Sequence, residues 1–276
     1  MTTSNSALDL LPTAASLRLI SLAQAVVSVG EYARLSLRRY QNDELAIKGP
    51  RDYQTVIDCE VERKIIDLLT VDFPDYGFKG EEAVANKIAD EGKPMIVIDP
   101  IDGTTNFAWG IPHFGMTIAV IEQKQVVCGV VYDPMLGELF SAELGKGAWM
   151  NGKRLHTSNQ EGVKETLIGA GLPVPRQVKR IEEEKYFSAL KRAMAGTSGV
   201  RRLGASSLSI SYVACGRLDG FFEDGLSIHD YGAAALIVQE AGGIVSGFLG
   251  DVIGDHGDLL VASNRAVHDW LLEGFH

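Results

Sequence analysis

IVIDPIDGTTNF, Ile96 to Phe107, is the stretch whose reading decides the fold. With Met95 it starts as MIVID, a buried strand by its β-branched, charge-free run. That strand ends in Asp99 and Asp102, three residues apart, and charges at the end of a buried strand demand an explanation. Their carboxylates can converge on one cation. Pro100 stiffens the bend between them and leaves the carbonyl of Ile101 facing the same side. Oxygen-only ligation of this kind suits Mg²⁺ or Mn²⁺, at about 2.0–2.1 Å. Gly103, Thr104 and Thr105 then offer open N–H groups and two hydroxyls, a phosphate cradle if a helix begins there. Asp-Pro and Asp-Gly are also ordinary turn dipeptides, so the decision needs the rest of the chain.

Downstream, FGMTIAVIE (114–122) and VVCGVVYD (126–133) form a β pair around Gln123–Gln125, and GELFSAEL (137–144) adds a third strand, giving an antiparallel meander. Upstream, apolar residues recur at helical spacing from Ala7 to Arg39 (Leu17, Ile20, Leu22, Val26, Val27), so one or two packed helices open the fold, with Gly30 as a candidate break. A second helix is expected over Gln54–Leu69. There Val61, Ile65 and Leu68 make an apolar stripe, while Asp58 and Glu62 share another face. The second half mixes strands at Thr166–Ala170, near Val200, at Asp219–Glu223 and at Leu259–Ser263 with helices at Lys179–Ala195, Ser206–Cys215, Tyr231–Glu240 and Asn264–Leu272. This order predicts an α+β fold of two tightly joined halves, 1–150 and 151–276, each with a sheet covered by helices. LPVPRQVKR, with Pro173 to Pro175, is the hinge candidate.

Composition narrows the function. The chain has 276 residues, 46% hydrophobic and 22% charged, which excludes disorder for the bulk of it. Its net charge is −10, against a sequence-independent grip on DNA or RNA, which rests on Lys and Arg neutralising phosphates. Arg38-Arg39 and Arg201-Arg202 are short basic pairs of the kind found on solvated faces or interfaces. Cys59, Cys128 and Cys215 form no CxxC pair and no disulfide framework, so reduced thiols and a cytoplasmic address are expected. No HxH or HExxH pair occurs among the histidines, against a zinc hydrolase. MTTSNS at the start lacks the features of a secretory signal. Gly103 to Ile121 is free of Asp, Glu, Lys and Arg but carries Asn106, Gly110, Pro112 and Gly115, so no membrane span is expected.

Two further acidic sites weigh against a plain turn at Asp99–Asp102. FKGEEA sets Glu81 beside Glu82, and SIHDYGAA sets Asp230 at the mouth of a helix, where negative charge is favoured. In this order, Asp58, GEE, DPIDGTTNF, Glu223 and HD, the chain resembles the inositol monophosphatase family of Mg²⁺-dependent, lithium-sensitive phosphatases. The resemblance runs from about Lys48 to Asn264 and includes YDPMLGELFSAELGKGAWMNGKRL (132–155), LGASSLSISYVACGRLDGFFEDG (203–225) and IVQEAGGIVS (237–246).

The resemblance implies an α/β/α/β/α layered sandwich, usually dimeric. It also implies roles: Glu81, Asp99, the Ile101 carbonyl, Asp102 and Asp230 as ligands of two or three Mg²⁺ ions, Thr104 with Asp58 positioning the attacking water, and Glu82 standing behind the ligands. Gly103, Thr104 and Thr105 then match the phosphate cradle, and Gly204, Ala205, Ser206 and Glu223 the polyol side of the pocket. The expected reaction is hydrolysis of a small phosphate monoester, myo-inositol monophosphate first. Relatives with the same core act on histidinol phosphate, fructose bisphosphate or 3′-phosphoadenosine nucleotides, and a non-catalytic RNA- or transcription-associated protein is the alternative of another class. One departure stands out: His229 precedes Asp230 where the family commonly has Trp. An HD-type phosphohydrolase is set aside because the other histidines such a site needs are not suitably spaced.

Overall fold

A computed structural model describes residues 6–37, 45–49, 52–84, 86–87, 92–172, 181–251 and 260–276. Arg38-Arg39, the hinge candidate at Pro173–Pro175, the expected helix start at Lys179 and Leu259 lie outside them. The chain opens with a 3₁₀ turn at Ala7–Leu10 and helix α1 (Leu17–Ser36), then a hairpin of β1 (Leu45–Gly49) and β2 (Asp52–Thr55), and α2 (Val56–Asp72). A seven-stranded sheet follows in the order β3 (Gly77–Gly80), β4 (Met95–Asp102), β5 (Gly115–Glu122), β6 (Gln125–Asp133), β7 (Glu138–Glu143), β8 (Gly147–Met150), β9 (Lys153–Arg154), with the short helix α3 (Thr104–Trp109) between β4 and β5. Only β3 and β4 pair in parallel; the rest is the expected meander.

The second sheet has five strands in the order β11-β10-β12-β14-β13: β10 is Leu167–Ala170, β11 Gly199–Arg201, β12 Gly220–Glu223, β13 Ile244–Ser246 and β14 Leu260–Ser263. Its helices are α4 (Glu183–Gly196), α5 (Ser206–Ala214), α6 (Ile228–Glu240) and α7 (His268–Leu272).

Alternation along the strands sorts side chains into three cores. Ile96, Ile98, Ile118 and Val130 pack with Leu22 and Val26 of α1 and Ile65 of α2. From the opposite face of the same strands, Val97, Ala119 and Val131 meet Leu208 of α5, Ile237 of α6, and Phe221 and Ala262 of the second sheet. On that sheet's outer face Ile168, Phe222 and Val261 meet Tyr186 and Leu190 of α4 and Leu271 of α7. The layers are therefore α/β/α/β/α, as expected. MIVID lacks alternating polarity because both of its faces are covered.

Three local expectations are corrected. Gly30 does not interrupt α1, which runs unbroken through it; it admits the Tyr132 ring, whose Cε1 would lie 2.4 Å from a Cβ added there. On α2 the stripe closes at Leu69, buried, while Leu68 is exposed, because the buried face is centred on Glu62, Ile65 and Leu69 and leaves Leu68 beyond its edge. The last helix begins at His268, not Asn264, because Asn264 Oδ1 accepts the N–H groups of Ala266 at 3.0 Å and Val267 at 3.1 Å and turns the chain first. No disulfide joins the cysteines; Cys128 is buried and the other two half-buried. Among the described residues, no helix is long and apolar enough to cross a membrane.

Candidate active site

The Asp99–Asp102 bend interrupts the β4–β5 register, as a proline inside a strand requires. Asp99 is buried. Its Oδ1 accepts the Ile101 N–H at 2.9 Å, and its Oδ2 has no hydrogen-bond partner. Burial first, and then the carboxylates of Glu81, Asp102 and Asp230, push the Asp99 carboxyl well above the ordinary range. Glu81, from the loop after β3, Asp99 and Asp230 each offer an oxygen within 4.8 Å of the others. Three carboxylates gathered around an unpartnered buried oxygen are unfavourable alone, and the oxygen-only donor set fits a hard divalent cation.

Three helix N-termini converge on this cluster. Asp58 is the third residue of α2: Thr55 caps the helix, and Asp58 Oδ2 accepts the Thr55 N–H at 2.9 Å and its hydroxyl. Asp230 is the third residue of α6, its Oδ2 accepting the Ser227 N–H at 2.6 Å and hydroxyl at 3.0 Å. Asp102 caps α5 from outside. Its Oδ1 accepts Ser206 N–H at 3.1 Å, and its Oδ2 takes both the N–H of Ser207, at 2.7 Å, and its hydroxyl. The positive ends of the helix dipoles offset part of the mutual repulsion. Burial nevertheless raises Asp58 and Asp102 to about 6 each.

The Thr104 hydroxyl lies 3.1 Å from Asp58 Oδ1 and 3.1 Å from the carbonyl of Ile101. A helix does start at Thr104, with Gly103 as its cap in the left-handed region at φ 97°. A Cβ on Gly103 would sit 2.9 Å from the Gly204 carbonyl, so glycine lets the 103–105 and 204–206 segments meet. Thr105 is exposed beside them. Ser206 donates to Glu223 Oε2 at 2.6 Å, and Gly171, Arg202, Gly204, Ala205, Ser206 and Glu223 line one small cavity. Burial raises Glu223 to about 7. Glu82 lies close enough to Asp58 for its charge to raise that residue. His229 is buried, its Nδ1 3.1 Å from the Ser227 hydroxyl and its carbonyl accepting from Thr117 at 2.7 Å.

Several further residues hold the site together. Asn106, buried, donates to the carbonyls of His113 at 2.8 Å and Leu203 at 2.9 Å and ties the two segments together. Ser207 carried no sequence signal, and Arg202, legible only as half of an exposed basic pair, also lines the cavity, whereas Thr55, three residues before Asp58, is a visible capping pattern.

A family model described as the inositol monophosphatase family matches residues 17–276. Inositol-1-monophosphatase of Mesorhizobium japonicum is 39% identical over 91% of this chain and 93% of its own length. The Nus factor SuhB of Pseudomonas aeruginosa is 39% identical over 82% of this chain and 84% of its own. Among solved structures, extragenic suppressor protein suhB from Bartonella henselae superposes with a TM-score of 0.89 at 35% identity, covering 94% of this chain and 98% of that one. Thermotoga maritima IMPase gives 0.80 at 32% identity, with 90% and 92% covered. Fold, acidic cluster and relatives together define a metal-dependent phosphoric monoester hydrolase. The chain belongs to the inositol monophosphatase family.

Proposed function

We propose that the protein hydrolyses a small phosphorylated polyol, myo-inositol monophosphate first, using Mg²⁺. Glu81, Asp99, the Ile101 carbonyl, Asp102 and Asp230 would hold two or three ions, with Mn²⁺ a possible substitute and Glu82 behind them. Divalent cations bound there supply Lewis acidity and neutralise the charge of the ester and of the leaving alkoxide. Thr104 orients the attacking water and Asp58 receives the proton through it. Gly103, Thr104 and Thr105 present amides and hydroxyls to the phosphate. Glu223 and Ser206, with Gly204 and Ala205 leaving space beside them, accept and donate to the hydroxyls of the alcohol. The observation that carries this reading is the chain of contacts Asp58–Thr104–Ile101–Asp99, which links a proton acceptor to the acidic cluster.

Phosphate release from a panel of esters at fixed Mg²⁺ tests it. Inositol monophosphate should be cleaved fastest, ahead of histidinol phosphate, fructose bisphosphate and 3′-phosphoadenosine nucleotides, and chelation should stop the reaction. A preparation inert toward every ester in saturating Mg²⁺ ends the proposal.

We further take the protein to be a cytoplasmic homodimer whose halves, 1–150 and 151–276, act as one unit. The packing of α5 and α6 against strands of both sheets supports the single unit, and light scattering tests the dimer. A second reading, a non-catalytic binding role, draws on relatives named Nus factor SuhB. Gel mobility at physiological salt tests it for RNA, and a net charge of −10 predicts no shift.

A further inference from the structure

Glu62 is fully buried on α2, one helical turn beyond Asp58. Its Oε2 accepts the N–H of Glu82 at 2.8 Å and its Oε1 the N–H of Val84 at 2.8 Å. Both donors belong to the loop that leaves β3 and carries Glu81. Between them, Ala83 adopts φ 54°, in the left-handed region, which lets the amides on either side of it reach one carboxylate. A residue with a side chain holds that conformation only where its surroundings impose it. Gly80 completes the fit, because a Cβ there would stand 2.1 Å from Glu62 Cδ. The loop is pinned elsewhere by Glu81 N–H on the Ile98 carbonyl at 3.0 Å and Gly80 N–H on Asn86 Oδ1 at 2.8 Å.

Of the three clustered carboxylates, Asp99 stands on a strand and Asp230 on a helix, whereas Glu81 stands on this loop. Its place in the cluster depends on what holds the loop. We infer that Glu62 is a positioning residue: it fixes the loop so that Glu81 reaches Asp99 and Asp230, and thereby sets the cluster's affinity for a divalent cation. The inference rests on the cluster being a metal site. Both Glu62 oxygens are engaged by loop amides, so it acts through Glu81 and touches neither cation nor ester.

Glu62→Gln tests this, because it sets an NH₂ donor against one of the two N–H donors. In the full chain, magnesium titration by calorimetry should show the half-saturating concentration raised about ten-fold or more, the usual scale for losing a group that orients a ligand. Turnover at saturating Mg²⁺ should stay near the parent's, and in the metal-free protein the amides of Glu82 and Val84 should exchange hydrogen faster. Glu62→Asp, one methylene short, and Gly80→Ala, which displaces the carboxylate, should move affinity the same way, and either replaces Glu62→Gln if that variant does not fold. Faster exchange with unchanged magnesium affinity overturns the positioning role, as does unchanged exchange, or lost turnover with affinity intact. A parent protein that binds no Mg²⁺ overturns the metal site itself, so the two failures are separable.

Discussion

Thr104 has one hydroxyl hydrogen and two acceptors at 3.1 Å, Asp58 Oδ1 and the Ile101 carbonyl, so it donates to one at a time and keeps lone pairs for a water. Thr104→Ala should therefore cut kcat by about 10²-fold or more, the scale of a lost acid–base partner, while Thr104→Ser retains most of it; a change confined to KM would remove Thr104 from the proton path. Asp230→Asn keeps an oxygen to cap α6 but gives up a charge of the cluster. It should fold, by circular dichroism, and lose Mg²⁺-dependent turnover. Glu223 lies in the small cavity with Ser206 rather than with the clustered carboxylates. Glu223→Gln should raise KM for inositol phosphate more than for an aryl phosphate that has no hydroxyls to read, and equal effects on both would take Glu223 out of alcohol recognition.

At the level of elements, α1 lies close against β6 because Gly30 has no side chain where the Tyr132 ring passes. Gly30→Ala should cost about 1–3 kcal/mol in urea unfolding, the range for overpacking a core, and a value within error of zero would show that the ring simply moves. His268 anchors the start of α7 through both ring nitrogens, Nδ1 to Ser263 at 2.8 Å and Nε2 to Ser246 at 2.9 Å, on β14 and β13. Burial lowers its pKa. The folded protein therefore resists taking the proton that the unfolded chain accepts near about 6.5. Its contribution is whole above that pH and declines as the pH falls from there towards the lowered folded value. Stability measured from pH 7.5 to 5 should fall less steeply in His268→Gln than in the parent; parallel curves would mean that the ring takes up its proton equally in the folded and unfolded states.

For the whole molecule, a cation that binds the folded cluster and not the unfolded chain stabilises by mass action, about 2.7 kcal/mol at one hundred times its Kd. Mg²⁺ should thus raise the Tm of the parent but not of Asp230→Asn, and a shift equal in both would place binding elsewhere. Lithium should inhibit turnover at millimolar levels, as expected of the family. Much of this molecule could be read in advance. DPIDGTTNF marked the strand end and six residues of the candidate site, Asp99 and Ile101 to Thr105, and apolar spacing located the principal helices. Pairings across long separations were not legible: β3 beside β4 in parallel, β12 against β14, or Ser207 reaching Asp102 over 105 residues. A serine on a helix looks the same in sequence whether it faces water or a carboxylate. Glu62 was visible as a neighbour of Asp58, but only the folded loop reveals its partners. In the first turn of α5, Ser206 bonds Glu223 while its neighbour Ser207 bonds Asp102. On the proposed function, adjacent codons would then serve opposite ends of the ester, leaving a lineage that adapts to a new alcohol room to vary at 206 but little at 207, whose partner is Asp102.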